Sequence, residues 1–120
     1  MNSNSSDDSA CLMAKAVLES QIIEQQAVVA DLERVYTDLG NKLKEVNAVK
    51  DMCSDTYKKT RAIGAVVSIS PISDDLTSTE NCINSMSETL DGLMKDCKSD
   101  LEAAQKELDS LQAQYDACAC

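Results

Sequence analysis

Between Leu18 and Tyr57, apolar side chains recur at alternating steps of four and three: Leu18, Ile22, Val29, Leu32, Tyr36, Leu39, Leu43, Val46, Cys53 and Tyr57. The mean repeat is about 3.5 residues, the period of a helix that lays one stripe against another helix. Only Gln25 and Lys50 put clearly polar groups on this ladder. A second ladder follows at Leu76, Ile83, Met86, Leu90, Leu93, Cys97, Leu101, Ala104, Leu108, Leu111, Tyr115 and Cys118. Its two successive steps of four around Cys97 predict a stutter, where a supercoil locally unwinds. The candidate interaction seam takes Leu18 to Val46 from the first ladder. From the second it takes Ile83, Met86, Leu90, Leu93, Leu101, Leu108 and Leu111.

The punctuation between the ladders predicts two helices, at about residues 8–62 and 74–118, after a disordered polar lead over 1–9. Ser5 or Ser6 can cap the first helix, with Asp7 and Asp8 in the turn where the helix dipole favours acids. Lys58, Lys59 and Arg61 suit its last turns, and Gly64 suits the position after them. Gly40-Asn41 interrupts the interior, but the ladder stays in phase from Leu39 to Leu43. A continuous or gently kinked helix is therefore favoured there over a break. Residues 63–73 form the connector, with β-branched Val66, Val67 and Ile69 ahead of Pro71. The second helix has three start signals: Ser70-Pro71, Ser73 before Asp74-Asp75, and the capping-box pattern from Thr77 to Glu80. A connector of about ten residues favours antiparallel neighbours. The predicted fold is all-α, a single long antiparallel helical hairpin over residues 10–120.

Composition supports helices and little else. The chain of 120 residues has three Tyr, no Phe or Trp, one Pro and three Gly, too few turn residues for a β protein. The net charge is −10, which disfavours nucleic acid and anionic membranes as partners. Residues 1–63 hold ten acids and eight bases, and residues 64–120 hold eleven acids and three bases. The bases cluster from Lys42 to Arg61. In a hairpin they would lie along Asp74, Asp75, Glu80, Glu88 and Asp91, which predicts charge pairing between the helices. The beginning MNSNSSDDSA lacks the apolar core of a secretory signal, and no run approaches the length of a membrane span. The expected location is the cytoplasm, or outside the cell by a route without a cleaved signal peptide.

Six cysteines and no histidine need an account. Antiparallel folding brings Cys53 level with Cys82, and Cys11 beside Cys118 and Cys120, while Cys97 would fall near Asp38 with no partner. Two readings stand: free cysteines packed as small apolar residues, and cross-helix disulfides at Cys53–Cys82 and at Cys11 with Cys118 or Cys120. Zinc is disfavoured, because C-x-x-C pairs are absent and Cys118-Ala-Cys120 on a helix would aim its sulfurs at different faces.

No triad, phosphate loop or nucleophile elbow occurs, and the adjacent acids Asp7-Asp8 and Asp74-Asp75 suit helix starts. No catalytic residue, cofactor or metal is expected. The first helix carries a second apolar set beside its ladder, at Ile23, Ala27, Val28, Val35 and Val49. Two helices alone cannot cover both stripes, which points to a helical protein partner or to self-association.

From residue 8 to 120, the two long helices, acidic balance and midway connector resemble the small helical hairpins of type VII secretion. These are the WXG-type proteins and the YwqH-like accessory proteins found beside LXG-type toxins. Where that family has Trp-x-Gly in the connector, this chain has Ala62-Ile63-Gly64, keeping the Gly without the Trp. The family's export tag, Tyr followed four residues later by an acid, is replaced by Tyr36/Gly40, Tyr57/Arg61 and Tyr115/Ala119. The resemblance implies a partner or targeting chaperone that pairs with a larger helical substrate, with the export tag on that partner or dispensable. The alternatives are a self-associating coiled-coil scaffold or adaptor and a prefoldin-like holdase. The holdase needs a β-hairpin that residues 62–73 are too short to form.

Overall fold

The seven-residue pattern is realised as two helices and no other element among the described residues. The computed structural model describes residues 4–64 and 70–120, with side chains over 8–63 and 74–120. Helix α1 runs Asn4–Gly64 and helix α2 runs Ser70–Ala117. The start of α1 at Asn4 precedes the expected one, so the polar stretch from Asn4 onward is helical. Asp7 and Asp8 still fall near its beginning, where acids compensate the exposed N–H groups. Residues 1–3 of the expected lead, and residues 65–69 of the expected connector, lie outside the described residues.

Of the three start signals for α2, the structure uses Ser70-Pro71. Pro is well tolerated in a first turn, where its missing N–H would have no helical partner. Asp74, Asp75 and the Thr77–Glu80 pattern therefore lie inside the helix, and Thr79 Oγ1 donates back to the Asp75 carbonyl at 2.9 Å. Through Gly40-Asn41, α1 continues without a break. No glycine takes positive φ among the described residues. The in-phase ladder on both sides outweighs a propensity penalty of about 1 kcal/mol.

The helices build two compact units. The first, Met1–Val35 with Cys97–Cys120, is closed by a disulfide between Cys11 and Cys120. Its cross-helix contacts run in opposite senses along the two chains. Gln25 Nε2 donates to the Ala104 carbonyl at 2.9 Å, and the Cys97 thiol points to the Leu32 carbonyl at 3.5 Å. The second, Tyr36–Asp96, adjoins the connector. It too is antiparallel: Ser87 Oγ donates to Asn47 Oδ1 at 3.2 Å, and the Cys53 thiol faces the Leu76 carbonyl at 3.9 Å. The fold is an antiparallel helical hairpin, as the ladders and connector length predict.

Candidate interaction surface

In the disulfide-closed unit, α1 presents Cys11, Lys15, Leu18, Ile22, Gln25, Val29 and Leu32 to its partner helix, in steps of four and three. From α2 come Cys97, Leu101, Ala104, Leu108, Leu111, Tyr115 and Cys118, in the same alternation. Ile22, Val29, Cys97, Ala104 and Leu111 are buried. Gln25, the polar intruder on the predicted ladder, spends its amide on a backbone carbonyl of the facing helix, so its burial leaves no donor unmet. Lys15 enters the seam through its alkyl stem and sets its ammonium 4.8 Å from the centre of the Tyr115 ring.

The connector-side unit keeps the same period with poorer material. Its α1 stripe is Tyr36, Leu39, Leu43, Val46, Lys50, Cys53 and Tyr57, all half-buried. Its α2 stripe is Leu76, Glu80, Ile83, Ser87, Leu90 and Met94. Among these only Ile83 is buried. The expected stutter around Cys97 does not occur, because α2 holds strict alternation through Ser87 and Met94. Met86 and Leu93, expected on the seam, are 50% and 48% exposed on its flank. Apolar identity pointed to Met86 and Leu93, whereas helix phase selects their neighbours Ser87 and Met94. Counting strict heptads back from Leu101 would have found both. Asn84, beside Ile83, is half-buried, with its Oδ1 turned away from the surface and bonded to no other residue.

On the flank that carries Met86, an apolar groove opens in this unit. Val46, Met86 and Leu90 form its floor, with Lys42, Cys82 and Thr89 at its rim, and its volume is about 600 Å³. A smaller hollow of about 250 Å³ adjoins it between Val46, Val49, Ile83 and Met86. Val49 belongs to the second apolar set, which stays outside: Ile23, Val28, Val35 and Val49 are all exposed.

The expected charge pairing between helices is absent among the described residues. The ion pairs Lys42–Glu45 and Lys95–Asp91, like Arg34–Asp31, each lie within one helix and are largely exposed. Such pairs contribute little, about 0.2–0.5 kcal/mol each. Arg61 instead lies 5.7 Å from the Tyr57 ring centre. The bases from Lys42 to Arg61 thus reach no acid of α2, because the charges sit on outer faces while the seam takes the apolar and small polar residues.

Of the two expected disulfides, one forms. Cys11 is joined to Cys120 with their Cα atoms 6.1 Å apart, while Cys118 stays a free thiol. Cys53 and Cys82 are not joined. The Cys53 thiol is held on the seam at Leu76, more than a helical turn from Cys82 along α2. Cys82, one position before the seam residue Ile83, turns out to the groove rim. Cys97 lies against Leu32 and not near Asp38.

Among the described residues no three His, Cys, Asp or Glu gather as metal ligands, and no helix is long and apolar enough to cross a membrane. Compared with known proteins, the chain matches no family model, no curated protein and no solved structure.

Proposed function

We propose that this protein is a non-enzymatic helical interaction protein whose connector-side unit receives an amphipathic helix of a larger helical protein. The groove floored by Val46, Met86 and Leu90 carries this reading. An open trough between two helices is the shape that an apolar stripe spaced at i, i+3, i+4 and i+7 fills. It lies in the unit whose own seam is least covered, so occupation would bury surface that the hairpin leaves wet. Lys42 is already paired with Glu45, which also lines the groove. It is therefore the bases from Lys44 to Arg61, meeting no acid of α2 among the described residues, that favour acids flanking the partner's stripe.

The resemblance to type VII secretion hairpins supplies the class of partner: a larger helical substrate such as an LXG-type toxin, which this protein would chaperone or target. The test is co-expression with the products of neighbouring genes, with Met86→Glu and Val49→Glu variants beside the unaltered protein. The expected result is a one-to-one complex with a larger helical protein, weakened at least tenfold by either charge. Tenfold corresponds to about 1.4 kcal/mol. A stable homodimer disrupted by the same substitutions would assign the groove to a second copy and overturn this reading.

A further inference from the structure

Three cysteines lie at the disulfide-closed end of the first unit, and the bonded pair is not the pair that the helix register selects. Gln25 stands opposite Ala104, and one heptad further along both helices Leu32 stands opposite Cys97. Continuing this pairing two heptads the other way sets Cys11 opposite Cys118. Both are half-buried on their stripes, and the Lys15–Tyr115 contact lies along the same path. Helix α2 ends at Ala117; the Cys118 N–H closes its last turn onto the Tyr115 carbonyl at 3.1 Å, and the Cys118 thiol faces the Gln114 carbonyl at 3.4 Å. Cys120 lies beyond the helix and is exposed, yet it is the residue that bonds Cys11. A free thiol therefore occupies the in-register position, two residues before the out-of-register cysteine that makes the disulfide.

We propose that Cys11, Cys118 and Cys120 form a thiol–disulfide exchange site. The Cys118 thiolate attacks Cys11 Sγ; the Cys11–Cys118 bond forms, the Cys11–Cys120 bond breaks, and Cys120 leaves as thiolate. The proton lost by Cys118 is regained at Cys120, so one disulfide and one thiol are present before and after, and no outside oxidant is consumed. The exchange moves the free thiol from a half-buried place on the seam to an exposed one past the helix. There a low-molecular-weight disulfide can capture it as a mixed disulfide, releasing one equivalent of thiol. The hairpin stays covalently closed in both forms, which separates this site from the groove and from any partner bound there.

The experiment uses the full oxidised chain, incubated without oxidant at about pH 8.5, where an ordinary thiol is half ionised. It is then acid-quenched, labelled with N-ethylmaleimide at about pH 6.5 and mapped by mass spectrometry under non-reducing conditions. A sample never raised to the higher pH should carry label on Cys118, with Cys120 bonded to Cys11. After incubation, label should appear on Cys120 together with a Cys11–Cys118 cross-link. Under a glutathione redox buffer, Cys120→Ser should form the Cys11–Cys118 bond at a rate within about threefold of that at which Cys118→Ser forms Cys11–Cys120. Of the three cysteines at this end, label that stays on Cys118 and never reaches Cys120 after incubation, or a helical Cys120→Ser protein that leaves Cys11 reduced, would overturn the proposal. If Cys120→Ser loses its helicity, the labelling pattern of the unaltered chain decides.

Discussion

The two units are made from the same helices on the same period, yet they differ in what they do with their contact surface. In the disulfide-closed unit, aliphatic and small side chains cover each other, and of the six side chains buried among the described residues five lie there. In the connector-side unit, Lys50, Glu80, Ser87 and Asn84 share the contact region with Leu43, Val46 and Leu90. Apolar groups that would have improved that seam, Met86 and Leu93, stand one position off it. Periodicity alone thus builds a hairpin, but the residue at each seam position decides whether a region is finished or left able to bind. The well-covered unit is closed on itself, and the poorly covered one leaves apolar surface open.

The largest effect should come from the covalent closure. Reducing Cys11–Cys120, or replacing Cys11 and Cys120 with Ser, should cost up to about 5 kcal/mol of unfolding free energy, given a loop of 109 residues. Urea titrations with and without reductant measure this. Hydrogen exchange should speed up mainly over residues 8–35 and 97–117. Equal acceleration over residues 36–63 would erase the distinction between the units.

Next in size, Ile22→Ala should cost about 2–3 kcal/mol, because a covered side chain leaves a gap that neighbours cannot close. Leu90→Ala in the other unit should cost about 1 kcal/mol, since the half-buried leucine already meets water in the groove. Matching losses at the two sites in chemical denaturation would break the comparison.

Stabilisation should be available in the connector-side unit. A methyl group at Gly92 would meet nothing within 4 Å, and at Gly40 it would sit 3.6 Å from Met94 Cε, an ordinary contact. Gly92→Ala and Gly40→Ala should each raise stability by about 0.5–1 kcal/mol through helix propensity. A loss at Gly40 would mean that the close approach of Met94 is tighter than its 3.6 Å separation implies. Smallest of all, Met86→Glu should change the stability of the isolated chain by less than about 0.5 kcal/mol, as expected of an exposed position. A larger loss in its melting curve would return Met86 to the structural core and remove it from the binding surface.

Much of the architecture was legible because it rests on repetition. The Leu18–Tyr57 ladder predicted the α1 stripe residue for residue, including the polar intruders Gln25 and Lys50. On α2 the reading failed over one stretch. Met86 and Leu93 drew the ladder aside because they are apolar, while phase continues through Ser87 and Met94. Position on a helix is geometric, and a polar residue can occupy a seam slot when, as with Ser87 and Asn47, a hydrogen bond meets it. The basic segment from Lys42 to Arg61 does lie in the helix antiparallel to the acidic one, but without the expected pairing among the described residues. Oppositely charged segments can lie side by side with their charges facing water. The groove was not legible at all. It arises from Val46 and Val49 on one helix meeting Met86 and Leu90 on the other, and no single stretch contains that relation.

What the sequence determined by itself is the period: two helices, an antiparallel return, and the same few residues in every heptad turned toward the partner. Backbone geometry makes those consequences local. The tertiary structure decided which cysteines meet and which do not. Cys11 reaches Cys120 beyond the end of α2, while Cys53 and Cys82 occupy different faces at different heights. It also decided which flank stays open, because exposure depends on what stands opposite a side chain. A ladder of apolar residues records which way a helix faces. Only the facing helix shows how well that face is covered.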